Sequence, residues 1–295
     1  MRRGDRGSNA LRPPWHGGAG AFAIAMIVLY CAPLSADPSG AGQPKSSLGI
    51  GFLWTAQSET VVGRLKSEKD FVDVILGPGK VDVFDKLKPP LRVACIARSL
   101  EKNEARPFPG IKETIDILRK AGVAPERVII AYNPEGQPGT PTTELRELVA
   151  SSRKAREMAK AYGAPLLVGP GLRDMSQREE LYPELAKCCD IWMIQSQRLQ
   201  LDEATRKPVD VGVYREKVKR IVDKLREGNP KIRVFVQLVT TAERGSVVLS
   251  SEQIVGFARS IEDLVDAVRI YGAPADLLNQ IIERLRGPVP TGSRP

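Results

Sequence analysis

Glu135 is the residue of this sequence best placed to transfer a proton. It follows the apolar run Val128–Ala131, which is typical of a strand, and alternate residues of a strand share one face. Ala131, Asn133 and Glu135 therefore lie on the same side. If that side lines a pocket, the carboxyl group could serve as a general acid or base. The structural alternative is a salt bridge to Arg98 or a helix cap.

One reaction that a carboxyl group in a pocket could catalyse is glycoside hydrolysis, which usually needs two carboxyl groups. The second one is harder to assign in this sequence. Asp174, in the loop after the next strand, is the catalytic partner that we expect for Glu135, and Glu243 is a further candidate. Neither lies at a strand end as Glu135 does. This shortage favours a ligand-binding protein, or an enzyme that uses one acid with a substrate-assisted or tyrosine-based mechanism.

Amide and aromatic side chains recur where the predicted strands end. Amides both donate and accept hydrogen bonds, and aromatic rings offer flat apolar faces, so the set suits a neutral polyhydroxylated ligand such as a sugar. The alternative is that these amides only satisfy loop backbone. The ligand-binding residues that we predict are Trp54, Arg98, Tyr132, Asn133, Gln195, Gln197 and Gln237.

The segment Gly169-Pro170-Gly171 with Arg173 could hold an anion, although such a segment is more often a structural turn. With Arg98, it supports a further hypothesis, an enzyme acting on a phosphorylated or anionic small molecule. Export of the protein would disfavour that hypothesis, since phosphorylated metabolites are mostly cytoplasmic.

Histidine chemistry is excluded if the N-terminal segment is removed. His16 is the one histidine among 295 residues, so the mature chain would have no Ser-His-Asp triad and no histidine zinc site. The sequence also has no nucleotide-binding motif and no metal-ligand cluster, so we expect neither a cofactor nor a metal. The formal net charge of +9 comes from interleaved acidic and basic residues without a dense basic stripe, so nucleic acid is not an expected partner.

Short apolar runs alternate with amphipathic helical patterns along the chain. Alternation of strands and helices implies parallel pairing, and seven or eight such units predict an α/β fold of the (β/α)8 TIM-barrel type. An open doubly wound sheet is the second possibility, but it would usually carry a Gly-rich turn after its first strand. The predicted strands are Gly49–Trp54, Leu91–Ala97, Arg127–Asn133, Pro165–Val168, Ile191–Gln195, Ile232–Leu238 and Ala267–Tyr271, with Phe71–Leu76 as an ambiguous eighth.

Two long helices are predicted around 142–162 and 212–227. The 3.6-residue apolar period marks both, and Gly163 and Gly228 end them. The three cysteines after residue 36, an odd number, argue against a disulfide framework. We expect mostly buried thiols, with Cys95 inside a strand.

The N-terminus predicts export. A basic leader precedes the apolar run 21–32, and small residues follow it, so cleavage after Ala36 would give a secreted or periplasmic protein. An uncleaved anchor is the alternative; after cleavage we expect no membrane span. The predicted organisation is a signal peptide at 1–36, a flexible linker at 37–47, one TIM-barrel-like domain at 48–286 and a disordered tail at 287–295.

Several segments resemble a known group of proteins. They are the run from Val128 to Glu135, the pair Thr140-Pro141 before a long helix, the run from Pro165 to Pro170 and the run from Asp190 to Gln197. Together they resemble uncharacterised exported bacterial TIM-barrel proteins of the glycoside-hydrolase-like type, over roughly 90–270. The paired-acid signatures of chitinase-like and cellulase-like families are missing, so the resemblance supports the fold more than the reaction.

Two functions therefore compete. One is an exported glycoside hydrolase with Glu135 as acid or base, and the other is a non-catalytic exported barrel that binds a glycan or another polar ligand. Two strand-end carboxylates within about 5–10 Å would favour the hydrolase. A lone Glu135 in a pocket of amides would favour the binding protein.

Overall fold

The computed structural model describes residues 48–77, 80–102, 108–136, 139–242 and 247–287. Eight parallel strands form a closed barrel in which each strand pairs with its neighbour in sequence and the first pairs with the last. This confirms the predicted (β/α)8 fold, including the ambiguous strand near Phe71. The strands are β1 (Gly49–Leu53), β2 (Phe71–Val74), β3 (Arg92–Ala97), β4 (Val128–Tyr132), β5 (Leu166–Val168), β6 (Ile191–Gln195), β7 (Arg233–Val239) and β10 (Ala267–Tyr271). A short antiparallel hairpin, β8 (Thr241–Ala242) and β9 (Val247–Val248), follows β7.

Helices surround the barrel. Their apolar faces pack on the outward-facing side chains of the strands, and their charged faces meet solvent. They are α1 (Val83–Lys86), α2 (Ile111–Lys120), α3 (Thr142–Arg146), α4 (Leu148–Tyr162), α5 (Leu172–Met175), α6 (Tyr182–Ala186), α7 (Val211–Gly228), α8 (Ser251–Ser260) and α9 (Ala275–Arg286), with 3-10 helices at Ala56–Arg64, Pro125–Arg127, Glu179–Leu181 and Ser196–Arg198.

The predicted helix at 142–162 is two helices in the structure. Glu147, with φ −104° and ψ 46°, leaves the helical region and separates α3 from α4. Gly163 ends α4 as expected, since its φ of +92° is the left-handed conformation that favours glycine. The predicted helix at 212–227 is confirmed, since α7 extends only one residue further at each end.

The inside of the barrel holds a small apolar core. Alternate strand residues point inward, and the rings of Phe71 and Phe235 stack there at 4.9 Å between centroids. Gly51 faces the same space, and a β-carbon at this position would lie 2.3 Å from the ring of Phe71. The glycine in β1 therefore makes room for the aromatic pair.

Three aspartates fasten strands to their neighbours at the amino ends of the barrel. Each directly precedes a strand, β2, β6 or β10, and its carboxylate accepts a hydrogen bond from a backbone N–H of the adjacent strand. The pairs are Asp70 with Ile50 (2.8 Å), Asp190 with Leu166 (2.9 Å) and Asp266 with Val234 (2.8 Å). These aspartate clasps oppose any sliding of one strand past the next, because a shift by one residue would break the bond.

The thiols of Cys95, Cys188 and Cys189 are buried and free, as expected, with Cys95 inside β3. Burial raises the pKa of Cys95 and of Cys189. Within the described ranges, none of the helices is long and apolar enough to cross a membrane. The predicted signal peptide and linker lie outside the described residues, as does the tail from residue 288 onward.

Candidate active site

A cavity of about 330 Å³ opens at the carboxyl ends of the strands. All eight barrel strands, or the segments that directly follow them, contribute to its wall. One part of the wall is apolar, formed by Leu53, Ile75, Ile96 and Leu172. The rest is polar and consists of Arg98, Asn133, Glu135, Arg173, Gln195, Gln197, Arg198, Gln237, Arg269 and Tyr271, together with Gly171.

Strand alternation brings the polar residues to this cavity. In β4 the inward residues Ile129 and Ala131 are followed by Asn133, and Ile191 and Met193 in β6 are followed by Gln195. The same alternation places Arg98 above Ile96 in β3. In β3, β4 and β6 the inward side chains are therefore apolar at the middle of the barrel and polar at its mouth, as in a packed barrel with a site at its top.

Glu135 lies in the cavity and is held from two sides. Arg98 Nη2 lies 3.1 Å from its Oε2, and its Oε1 accepts from Asn133 Nδ2 and from Gln195 Nε2, each at 2.9 Å. Its side chain remains 31% exposed. Glu135 therefore points into the cavity, as predicted, and it also makes the salt bridge to Arg98 that was the structural alternative. The arrangement suits a carboxylate that accepts hydrogen bonds.

Gln195 connects three parts of the site. Its side-chain nitrogen also lies 2.8 Å from Asn133 Oδ1 and 2.8 Å from the carbonyl oxygen of Gly169, which follows β5. A β-carbon on Gly169 would lie 2.9 Å from the β-carbon of Met193, so glycine allows this close approach. Gln195 is 4% exposed, and its amide fixes the orientation of both Asn133 and Glu135.

The loop that carries Glu135 is fixed by a buried threonine. Thr140 Oγ1 accepts from the backbone N–H of Glu135 at 3.0 Å, and it donates toward the carbonyl oxygen of Arg98 at 2.7 Å. The ends of β3 and β4 are thereby joined directly above the barrel. Arg98 is further held by the ring of Phe108, 4.3 Å from its guanidinium carbon.

A second arginine–carboxylate pair lies deeper, on the side of the barrel formed by β10, β1 and β2. Arg269 in β10 pairs with Asp73 in β2, and both side chains are almost fully buried. Arg269 Nη1 donates to Gln237 Oε1 at 2.6 Å. Burial raises the pKa of Asp73 to about 6, although the neighbouring guanidinium of Arg269 acts in the opposite direction.

The two arginine–carboxylate pairs belong to one polar network. Gln237 Nε2 donates toward Gln197 Oε1 at 3.4 Å, and Gln197 Nε2 donates toward Gln195 Oε1 at 3.3 Å. Amides thus connect the Asp73 side of the mouth to the Glu135 side. Long contacts of this kind are weak, and a ligand hydroxyl that both donates and accepts could replace them.

Two predicted ligand residues lie elsewhere. Tyr132 precedes Asn133 and faces the helices, where its hydroxyl donates to Glu144 Oε2 at 2.8 Å. Trp54 likewise packs against the outer core, since Ile50 and Phe52 occupy the outward positions of β1 and Trp54 continues that series. The expectation that these two rings line the cavity is therefore corrected by strand alternation.

The proposed second carboxylate also lies away from the cavity wall. Asp174 is an exposed residue in the first turn of α5, beside Gly171. It is not among the residues that line the cavity, although Arg173, next to it in sequence, is. Glu243 lies outside the described residues. Of the part of the chain that the structure describes, Glu135 is the one carboxylate in the cavity wall.

Sequence reasoning missed Asp73, Arg269 and Arg198. The first two carried a readable signal, because a charged residue occupies an inward position of an otherwise apolar strand in both β2 and β10. Arg198 ends a short 3-10 helix after β6, and no strand pattern indicates its direction.

Comparison with known proteins shows the fold. The sequence matches no protein-family model, and no curated protein matches it. The catalytic domain of a family GH18 chitinase from the fern Peteris ryukyuensis has a TM-score of 0.51 and 11% identity, covering 79% of this chain and 97% of the chitinase chain. The spore cortex-lytic enzyme SleL of Bacillus megaterium has a TM-score of 0.52 and 8% identity, covering 83% and 75%. The chain therefore shares a barrel fold with glycoside hydrolases, and the likeness concerns the fold alone.

Proposed function

We propose that this protein is an exported (β/α)8 barrel that binds a glycan, or a similar polyhydroxylated ligand, at the carboxyl ends of its strands. The observation that carries this proposal is the network of amides along the mouth. Asn133, Gln195, Gln197 and Gln237 come from three strands and present donors and acceptors to one cavity. Sugar hydroxyl groups need this mixture, because each hydroxyl both donates and accepts.

Two further features support a sugar as the ligand. Tyr271 lines the cavity and is 42% exposed, so the face of its ring that is turned away from the Arg269 guanidinium is available to the apolar face of a sugar. Glu135 adds a charged acceptor, and hydrogen bonds to a charged group are stronger than neutral ones. The apolar wall near Leu53 and Ile96 would contact the carbon atoms of the same ligand.

Hydrolysis is the second candidate function, and the partly exposed carboxylate of Glu135 in the cavity favours it. The binding role comes first for two reasons. Glu135 accepts from an arginine and two amides, which suits an anchored acceptor better than a proton donor. A second carboxylate to complete an acid and nucleophile pair is also missing from the described cavity wall. Asp174 would have to move there on ligand binding.

Binding to a panel of neutral and acidic oligosaccharides tests the proposal. We expect Gln195→Ala to weaken binding by about tenfold or more, since its loss leaves Asn133 and Glu135 without their shared partner. Gln280→Ala is the matched control, because Gln280 is an exposed residue of α9 on the outside of the barrel. Absence of binding to every oligosaccharide, or equal weakening by both variants, would contradict the proposal.

The same panel separates binding from hydrolysis. Chromatography of each oligosaccharide after incubation with the protein should show it intact. If shorter products form, and Glu135→Gln reduces their rate by about 10²-fold, the hydrolase hypothesis replaces the binding hypothesis.

A further inference from the structure

The charges in the cavity do not balance. Four arginines line its wall, Arg98, Arg173, Arg198 and Arg269. Arg98 pairs with Glu135, and Arg269 pairs with Asp73 below the wall. Both available carboxylates are thereby matched, and two guanidinium groups remain without a carboxylate partner within the described ranges.

The two unmatched arginines come from neighbouring segments. Arg173 lies in α5, directly after β5, and Arg198 ends the 3-10 helix Ser196–Arg198 that follows β6. Since β5 and β6 are adjacent in the barrel, both side chains belong to the same side of the rim. Both residues are exposed, and neither makes a side-chain hydrogen bond or ion pair with any residue that the structure describes.

An arginine pair of this kind has a chemical preference. Each guanidinium presents its N–H groups in a planar fork that matches the oxygens of a carboxylate or a sulfate. Two positive charges on one side of a cavity also create a positive potential that attracts anions. The neutral amides of the network lie next to this side through Gln195 and Gln197, which come from the same strand end as Arg198.

We infer that the ligand is an acidic saccharide, whose anionic group binds Arg173 and Arg198 while its hydroxyl groups bind the amide network. This inference rests on the proposed glycan-binding function and names the class of glycan. Carboxylates of uronic acids and sulfate esters share the required chemistry, which is a negatively charged group of oxygens on a polyhydroxylated ring. Neutral glycans would use the amides alone and bind more weakly.

Matched pairs of oligosaccharides test the inference by isothermal titration calorimetry. Oligogalacturonate and its fully methyl-esterified form have the same length and ring hydroxyls but differ in charge. A sulfated chondroitin oligosaccharide and its desulfated form separate sulfate from carboxylate as the source of the anion. We expect the charged member of at least one pair to bind about tenfold more tightly than its uncharged or less charged partner, and added salt to reduce the difference.

Arginine variants locate the contact. Arg173→Gln with Arg198→Gln should weaken binding of the charged member by about tenfold and leave the methyl ester unchanged. The control is Lys120→Gln with Lys231→Gln, which removes two exposed positive charges beside the amino ends of the strands, at the other end of the barrel. This control should bind both members as the unaltered protein does.

The outcomes separate this inference from the function on which it rests. If both members of each pair bind equally, or if the arginine variant weakens both alike, glycan binding stands and the acidic preference is overturned. If the control variant weakens binding as much as the arginine variant, the assignment to Arg173 and Arg198 is wrong. If no oligosaccharide binds at all, the proposed function fails, and the inference fails with it.

Discussion

The mouth of the barrel contains the same ion pair twice, in two different environments. Arg98 and Glu135 meet on the β3–β4 side, with side chains 28% and 31% exposed. Arg269 and Asp73 meet on the β10–β2 side, with side chains 7% and 2% exposed. Water reaches the first pair and is excluded from the second. The two pairs therefore differ in what each contributes, although the chemical groups are identical.

Solvent access decides which pair a ligand can use. An exposed pair contributes little to stability, because water and salt screen it and because its partners remain hydrated when apart. A buried pair has lost that hydration, and removal of one partner leaves a charge without compensation. We therefore expect Arg98 and Glu135 to exchange contacts with a ligand, and Arg269 and Asp73 to act as part of the fold.

The largest effect should follow loss of the buried arginine. Arg269→Met leaves the carboxylate of Asp73 buried without its partner, and we expect the free energy of unfolding at pH 7 to fall by about 3–5 kcal/mol. Urea denaturation followed by circular dichroism measures this change. The effect should be smaller at pH 4, where the isolated carboxyl group is protonated. A loss below about 1 kcal/mol at pH 7 would remove the distinction between the two pairs.

An intermediate effect should appear in the pH dependence of stability. Burial raises the pKa of Asp73 to about 6 in the folded protein, so the folded state holds this proton more tightly than the unfolded state. The resulting stabilisation is full below pH 4 and is lost as the pH rises through 6. Relative to Asp73→Asn, the native sequence should lose about 1–3 kcal/mol between pH 4 and pH 7. Urea denaturation measures the free energy of unfolding of both proteins at each pH. If the difference between the two proteins stays the same from pH 4 to pH 7, this prediction is contradicted.

The smallest effect should follow loss of the partly exposed arginine. Arg98→Met, the counterpart of Arg269→Met, should change the free energy of unfolding by less than about 1 kcal/mol. The same variant should weaken the binding of oligosaccharides, because Arg98 helps to hold Glu135 in the cavity. Thermal unfolding and calorimetric titration of one preparation measure both quantities. A large loss of stability would assign this pair to the fold as well.

The barrel could be predicted from the sequence because the evidence for it is local. Each apolar run and each helical period is contained in a short segment, and the alternation of the two determines parallel pairing. Glu147 shows the limit of this reasoning, since the apolar period continues across it while its backbone leaves the helix. Only the packing of α3 and α4 around the barrel reveals that break.

The candidate site was predictable where strand alternation was applied and unpredictable where it was not. Asn133 and Glu135 follow from the parity of β4, and the same parity would have placed Tyr132 outside. The link from Arg269 to Gln237 depends on which strands become neighbours when the barrel closes. The direction of Arg198 depends on a short helix with no apolar pattern. These features exist only in the assembled fold.

The aspartate clasps of Asp70, Asp190 and Asp266 have a consequence for how this scaffold can change. They hold the strands in register at the amino ends, and the cavity residues lie at the opposite ends. The alignment of β1 with β2, of β5 with β6 and of β7 with β10 is thus secured by contacts that no cavity loop shares. Segments after β5 and β6 can therefore be grafted, lengthened or replaced while these strands stay aligned. New ligand specificities can therefore be engineered one loop at a time while the barrel itself stays unchanged.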